Sequence, residues 1–153
     1  MKNLIESKIT IQAPLEVVWN ILSDLDNYHL WNPFTPKVET TQQIGTDVLL
    51  HVRLNPNSQK LHLQKEQLLR WEALSGMDWG IKDAWYAKTI RIQQLKAIDA
   101  TTTEYYTSDL IEGPFTWLIM FLYRKKIQQG FDDVAQGLKK QAETAFQSSN
   151  LKA

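Results

Sequence analysis

Residues 115–146 read FTWLIMFLYRKKIQQGFDDVAQGLKKQAETAF. Within them Trp117, Met120, Ile127, Phe131, Val134, Leu138, Ala142 and Ala145 recur at helical steps, which places them on one face of a helix. After Ile127 the opposite positions are Gln128, Asp132, Asp133, Gln136, Lys139, Lys140 and Glu143. This half is therefore an amphipathic helix lying on something apolar. The first part, residues 116–123, is apolar all round, because Leu118, Ile119 and Leu122 fall off the stripe. Either a helical hairpin and loops cover these side chains, with the hairpin the expected cover, or they form an apolar patch for a protein partner or a membrane surface. What lies under the stripe has to come from the residues that precede it.

Those residues read mostly as strands. Ile5, Ser7, Ile9 and Ile11 alternate with Glu6, Lys8 and Thr10, giving a strand with one wet face. Pro14 suits the first turn of a helix, and Val18, Ile21, Leu22 and Leu25 follow at helical spacing beside Trp19. Asn32-Pro33 forces an extended or turn conformation, so a second short helix stops before Trp31. Strands are then expected at residues 37–42, 47–54, 60–67, 69–73, 84–95 and 101–111. Residues 55–58 form a turn cluster and residues 75–82 (SGMDWGIK) a glycine-bearing loop. Val48, Leu50, Val52 and Leu54 face one way, His51 and Arg53 the other, while Leu69 and Trp71 share a side. Short turns between consecutive strands make an antiparallel meander, and its apolar face needs the final helix as cover. The first strand, sent away across the hairpin, adds to an edge. One domain over residues 1–147 is expected, with a flexible tail at 148–153.

Composition excludes several classes of function. The 17 basic and 17 acidic residues cancel and no basic block is present, which argues against nucleic acid as the main partner. The absence of cysteine rules out disulfides, thiolate metal sites and cysteine nucleophiles. His29, His51 and His62 are scattered, and the last two lie on outward strand parities. No Ser-His-Asp set, P-loop or dinucleotide-binding glycine pattern occurs, so neither metal nor cofactor is expected. The N-terminus lacks an apolar run of signal-peptide kind, and no stretch approaches the roughly 18 apolar residues of a spanning helix. The expected location is the cytoplasm and the expected state a monomer or weak homodimer. Six tryptophans in 153 residues mean either a core of large rings or a core left partly hollow and lined by them.

Residues 9–34 follow the pattern I-x-I-x-A-P-x-E-x-V-W-x-x-L-S-D-L-x-x-Y-x-x-W-N-P-F. This opening resembles the start of the SRPBCC superfamily of START-like, polyketide cyclase/dehydrase and birch-pollen-allergen-like proteins. Leu69-x-Trp71 resembles that superfamily's L-x-W strand, and Asp109-x-Ile111-x-Gly113 its E-x-F-x-G strand end. Gly130-Phe131, Leu138-Lys139 and Glu143 resemble its last helix. The resemblance spans nearly the whole chain. It implies an α+β helix-grip fold: a curved antiparallel sheet wrapped around a long C-terminal helix, with an apolar cavity between them and a helical hairpin after the first strand. It does not select a function, because the fold hosts carriers, cyclases, hydrolases and chaperone regulators. Many relatives carry G-x-H-x-F where this chain begins Asp83-Ala84-Trp85-Tyr86, so an activity that depends on that histidine does not carry over.

One parity of each strand lines such a cavity. Ile90 and Ile92 set the inward parity of their strand, which also turns Tyr86 and Lys88 inward. Aligning Asp109 and Ile111 with the superfamily's strand end turns Tyr105, Thr107 and Asp109 inward on the next strand. Lys88 and Asp109 are then candidate partners, an acid–base pair or a clamp on a polar ligand head; the plainer alternative has Lys88 reaching out at the mouth. Arg124, near the helix stripe, either binds a carboxylate at the mouth or is a solvated helix-edge residue. Phe34, Leu50, Val52, Trp71, Trp79, Tyr86, Ile90, Tyr105, Phe115, Trp117, Met120 and Phe131 complete the candidate lining. Trp79, in its glycine loop, is a candidate lid, and Trp19 and Trp31 belong to the framework. The leading expectation is a binder of a hydrophobic, lipid-like or amphipathic small molecule without chemistry of its own. The alternatives are a cyclase- or dehydratase-like acid–base enzyme using Lys88 and Asp109, and an interaction module acting through residues 117–122.

Overall fold

The computed structural model describes residues 3–152. Strand β1 (Leu4–Ile11) leads into helix α1 (Leu15–Ser23) and a short 3-10 helix (Leu25–Leu30). Six strands follow: β2 (Lys37–Thr40), β3 (Asp47–Val52), β4 (His62–Glu72), β5 (Gly76–Ile81), β6 (Lys88–Asp99) and β7 (Thr102–Glu112). Helix α2 (Thr116–Leu151) ends the chain, continuing past the periodic stripe into residues 147–151, whose side chains are exposed. All neighbouring strands pair antiparallel in the order β1-β7-β6-β5-β4-β3-β2, so β1 does add to an edge beside β7. This is the curved sheet around a long C-terminal helix that the resemblance implies.

The stripe on α2 is buried where the amphipathic pattern is strict. Met120, Phe131, Val134, Leu138 and Ala142 are all buried against the sheet and α1, whereas Trp117 and Ala145, the end members of the expected stripe, are exposed. Two glycines let the chain after the 3-10 helix press onto α2. A Cβ at Gly130 would lie 2.2 Å from the Phe34 ring, and one at Gly137 would lie 2.0 Å from the Trp31 carbonyl oxygen. Each glycine costs a helix about 1 kcal/mol relative to alanine, and here the close approach of segment 31–34 takes the space in return. Phe34 is thereby fixed edge-on to Phe131, with ring centroids 6.0 Å apart.

The strand count matches expectation, but the assignments differ at β4, β5 and β6. The expected strands at 60–67 and 69–73 are one strand, β4, carrying a β-bulge between Leu68 and Arg70. The expected loop at 75–82 is strand β5, in which Asp78 receives Arg70 Nε at 2.8 Å and Nη2 at 2.9 Å. Its glycines serve close strand approach rather than a turn: a Cβ on Gly80 would lie 2.0 Å from the Thr89 carbonyl oxygen. Trp79 is consequently buried in the sheet and is no lid.

Strand β6 begins at Lys88, not Ala84, and its parity is the reverse of the expected one. Thr89, Arg91, Gln93 and Leu95 point inward, while Ile90 is 39% exposed and Lys88 is exposed. A second bulge, between Ala97 and Asp99, produces this reversal. Beyond it Asp99 pairs with Thr102; before it Ala97 pairs with Thr103, so each β6 residue meets a β7 residue one position earlier than an unbulged ladder would give. Because side chains alternate with period two, one extra residue moves a whole strand to its other face.

Candidate functional site

A cavity of about 510 Å³ lies between the inner face of the sheet and the first half of α2. Phe34, Leu50, Val52, Leu54, Ile81, Ile111, Ile119, Ile127 and Phe131 form most of its wall. They come from the inward parities of β3, β5 and β7, from one face of α2 and from the clamp at Gly130. Tyr86, Tyr123 and Leu63 line it too, and all three are exposed, so they mark its mouth.

Glu66 from β4, Arg91 from β6 and Asp109 from β7 face this mostly apolar enclosure, with Gln64 and Thr89 beside them, while Lys65 lines the rim, exposed and paired with Asp47 at 2.9 Å. Glu66 is 5% and Arg91 6% exposed. Each of the two bulges turns one of them inward. Trp71 and its partner Met77 point into the core beyond the β4 bulge; before it Leu68, opposite Trp79, takes that role, and with Leu68 goes Glu66. On β6 the register places Arg91 opposite both Asp109 and Trp79. The Arg91 guanidinium sits over the Phe131 ring at 4.4 Å and over Trp79 at 5.9 Å, cation–π positions in a desolvated setting. Among the described residues no ion pair within 4.0 Å joins Arg91 to either carboxylate. Glu66 Oε2, Asp109 Oδ1 and Arg91 Nε are buried with no hydrogen-bond partner among the described residues. A layer below, Tyr105 donates to Gln93 Oε1 at 3.0 Å, and the buried Tyr28 hydroxyl donates to the Leu22 carbonyl.

Burial sets the protonation of the pair. It pushes Asp109 up to about 6, with Arg91 holding it below where burial alone would leave it. It pushes Glu66 up to about 7, helped by the negative charge of Asp109 and opposed by Arg91 and by the amide of Gln64, which donates to Glu66 Oε1 at 2.6 Å. Asp109 thus ionises first, and its charge then raises Glu66. Near neutral pH the cavity holds one cation, one carboxylate and one carboxyl that is half protonated. Such a set can donate to a carbonyl, accept from a hydroxyl or relay a proton inside an apolar enclosure. Among the described residues no group of three or more metal-ligating side chains occurs.

Phe34, Leu50, Val52, Tyr86, Asp109 and Phe131, of the residues singled out in the sequence, line the cavity. Tyr105 lies buried beneath it and Met120 in the core. Lys88 and Ile90 point out of it through the parity reversal, so the Lys88–Asp109 pair is not formed and Lys88 stands opposite Glu112. Trp71 packs edge-on against Trp19 at 5.9 Å, inside the framework and away from the cavity. Phe115 and Trp117 are exposed on the outside of α2's start. Arg124 is exposed on the helix edge, where its Nη2 donates to the Leu4 carbonyl at 3.4 Å. Nor does the hairpin cover residues 117–122: Trp117, Leu118, Phe121 and Leu122 are all exposed. Sequence patterning misses Glu66 and Arg91 because the apolar alternation that is present, Leu61 and Leu63 before and on β4 and Ile90 and Ile92 on β6, marks the opposite parity as the inner one. The signal that is present is the short turn at Ala100-Thr101, which brings residue 91 to within one position of the partner of Asp109.

A family model described as polyketide cyclase / dehydrase and lipid transport matches residues 4–143. The ZhuI aromatase/cyclase from Streptomyces sp. R1128 superposes with a TM-score of 0.71 at 17% identity, covering 92% of this chain and 93% of that one. A protein from Thermus thermophilus gives 0.70 at 15% identity over 93% and 98% of the two chains. A START superfamily protein from Mycobacterium smegmatis gives 0.62 at 12% identity over 95% and 97%. In sequence, oxopyrrolidines biosynthesis cluster protein O of Penicillium oxalicum is 33% identical over 66 residues, 35% of this chain. That match spans about a third of the curated relative's length, 33% of it.

Proposed function

The chain belongs to the polyketide cyclase / dehydrase and lipid transport family, and from that premise we propose that it binds an amphipathic small molecule in the cavity between sheet and α2. The apolar part packs on Phe34, Val52, Ile111 and Phe131, and the oxygen-bearing end meets Glu66, Arg91 and Asp109. One observation carries this reading: a cavity of about 510 Å³ with a mostly apolar wall, into which Glu66, Arg91 and Asp109 present buried polar atoms without partners among the described residues. The volume lies within the usual range for small-molecule sites. Burying roughly 300 Å² of apolar ligand surface at about 25 cal/mol per Å² supplies about 8 kcal/mol before the cost of association. Native mass spectrometry of the purified protein, paired with displacement of an environment-sensitive apolar dye, tests the reading. A co-purified adduct, or dye displaced by amphipathic competitors, supports it; a bare mass with no dye binding sinks it.

The near-neutral titration of Glu66 and Asp109 favours a second reading, acid–base catalysis on a carbonyl-bearing substrate of polyketide type. One carboxyl would donate a proton to the carbonyl oxygen and the other carboxylate would accept one from carbon, with Arg91 countering the charge that develops. Glu66→Gln and Asp109→Asn separate the two readings. An enzyme loses turnover while still binding, and a carrier changes only its affinity.

A further inference from the structure

The sequence is neutral as a whole, yet one end of the molecule is both aromatic and basic. Where α2 begins, Trp85 is 80%, Trp117 70% and Phe121 81% exposed, and Phe115, Leu118 and Leu122 are exposed with them. The patch is contiguous across two elements, since Trp85 in the loop before β6 lies 5.9 Å from Tyr86 and 6.3 Å from Phe115. A monomer rarely leaves so continuous an apolar surface to water. On α2 it is laid out in two parallel rows of i, i+4 neighbours: Trp117, Phe121, Lys125 and Leu118, Leu122, Lys126. Each row begins with two exposed apolar side chains and ends on an exposed lysine. At 1.5 Å of rise per residue the lysines stand about 6 Å beyond Phe121 and Leu122 along the axis.

On the loop side of the patch charge is balanced, with Lys82 beside Asp83 and Lys88 opposite Glu112, so its net positive charge lies on α2. Among the described residues none of Lys82, Lys88, Lys125 and Lys126 takes part in an ion pair. Residues 115–126 carry three basic side chains and no acidic one.

We propose that this end of the protein docks on the surface of an anionic lipid bilayer, with Trp117, Phe121 and Trp85 entering the boundary between headgroups and acyl chains and Lys125 and Lys126 meeting lipid phosphates and carboxylates. Interfacial insertion reaches roughly 5–10 Å, which matches the spacing of rings and lysines along the two rows. The charge points to an anionic surface as the occupant, because both rows end on lysines that form no ion pair among the described residues and residues 115–126 hold no acidic side chain to complement a second copy's lysines. No helix among the described residues is long and apolar enough to cross a membrane, so the mode is surface docking. Tyr86, which borders the cavity, packs edge-on against Trp85 at 5.9 Å, so the patch reaches the cavity mouth on its loop side.

Co-sedimentation with phosphatidylcholine vesicles, with and without phosphatidylserine, tests this. The wild type is expected to pellet with the phosphatidylserine vesicles, with a blue shift of tryptophan emission, and to be released by salt. Lys125→Ala with Lys126→Ala should weaken that binding about thirtyfold, and Trp117→Ser with Phe121→Ser should abolish it. Neither pair lines the cavity, so dye binding there is expected unchanged in both variants; this keeps failure of docking distinct from failure of the ligand reading. No pelleting of the wild type, equal pelleting with both vesicle types, or a solution dimer that Phe121→Ser dissociates would each overturn the proposal.

Discussion

Glu66→Gln isolates the electrostatic strain held in the cavity. Glu66 is buried and its carboxyl is raised from 4.5 to about 7. The folded protein therefore holds this proton more tightly than the unfolded chain does. The stabilisation is complete below about pH 4.5 and is lost progressively as pH rises through about 7. Integrating the two titrations, the wild type loses roughly 2–3 kcal/mol of stability from Glu66 alone between about pH 5 and about pH 8. Glutamine keeps the shape and a carbonyl for the Gln64 amide but cannot ionise. The stability of the variant relative to wild type should therefore climb by that amount over the same interval, about 5–10 °C in Tm for a domain of this size. Asp109 titrates in both proteins and largely cancels in the difference. Urea or thermal unfolding of both proteins across the interval measures it. Parallel pH profiles would refute the reasoning, and so would a wild type whose advantage grows with pH, since either means that Glu66 ionises at its ordinary value in an open, hydrated site.

Arg91→Met removes the cation that opposes burial, so Asp109 should titrate above about 6 in carboxyl-resolved NMR; an unmoved Asp109 would mean that the guanidinium field does not reach it. Lys88→Met, at the exposed position opposite Glu112, should leave dye affinity in the cavity unchanged, whereas Arg91→Met should alter it; the opposite pattern would restore the parity read from Ile90 and Ile92. Gly130→Ala should cost about 1–3 kcal/mol in urea unfolding despite alanine's better helix propensity, because its Cβ would meet the Phe34 ring. A more stable variant would show that segment 31–34 yields freely. Its dye affinity should also fall, since Phe34 is cavity wall.

The sequence by itself determined the architecture. The stripe from Met120 to Ala142, Pro14 ahead of α1, Asn32-Pro33 after the 3-10 helix and the alternation of Val48, Leu50 and Val52 each act over a few neighbours, and their periods survive in the folded molecule. Phe131, on the helix stripe, could be placed on the cavity for the same reason, whereas Asp109 was turned inward by the resemblance of its strand end and not by any local period. What tertiary structure decided was which face two strands present. One extra residue near Leu69 and another near Ile98 turn Glu66 and Arg91 into the cavity, and send Lys88 and Ile90 out of it. Nothing local marks a bulge at either place: no glycine lies there, and the apolar residues of β6 that look like core lie on its outer side. The extra residue is tolerated because sheet curvature over α2 and cross-strand partners such as Trp79 and Asp109 offset its cost, and those partners come from distant parts of the chain. Whether residues 117–122 were covered was likewise a matter of where the hairpin lands. Gly130 and Gly137 hold the segment that follows it, residues 31–34, on the middle of α2, and the outer side of residues 117–122 stays exposed.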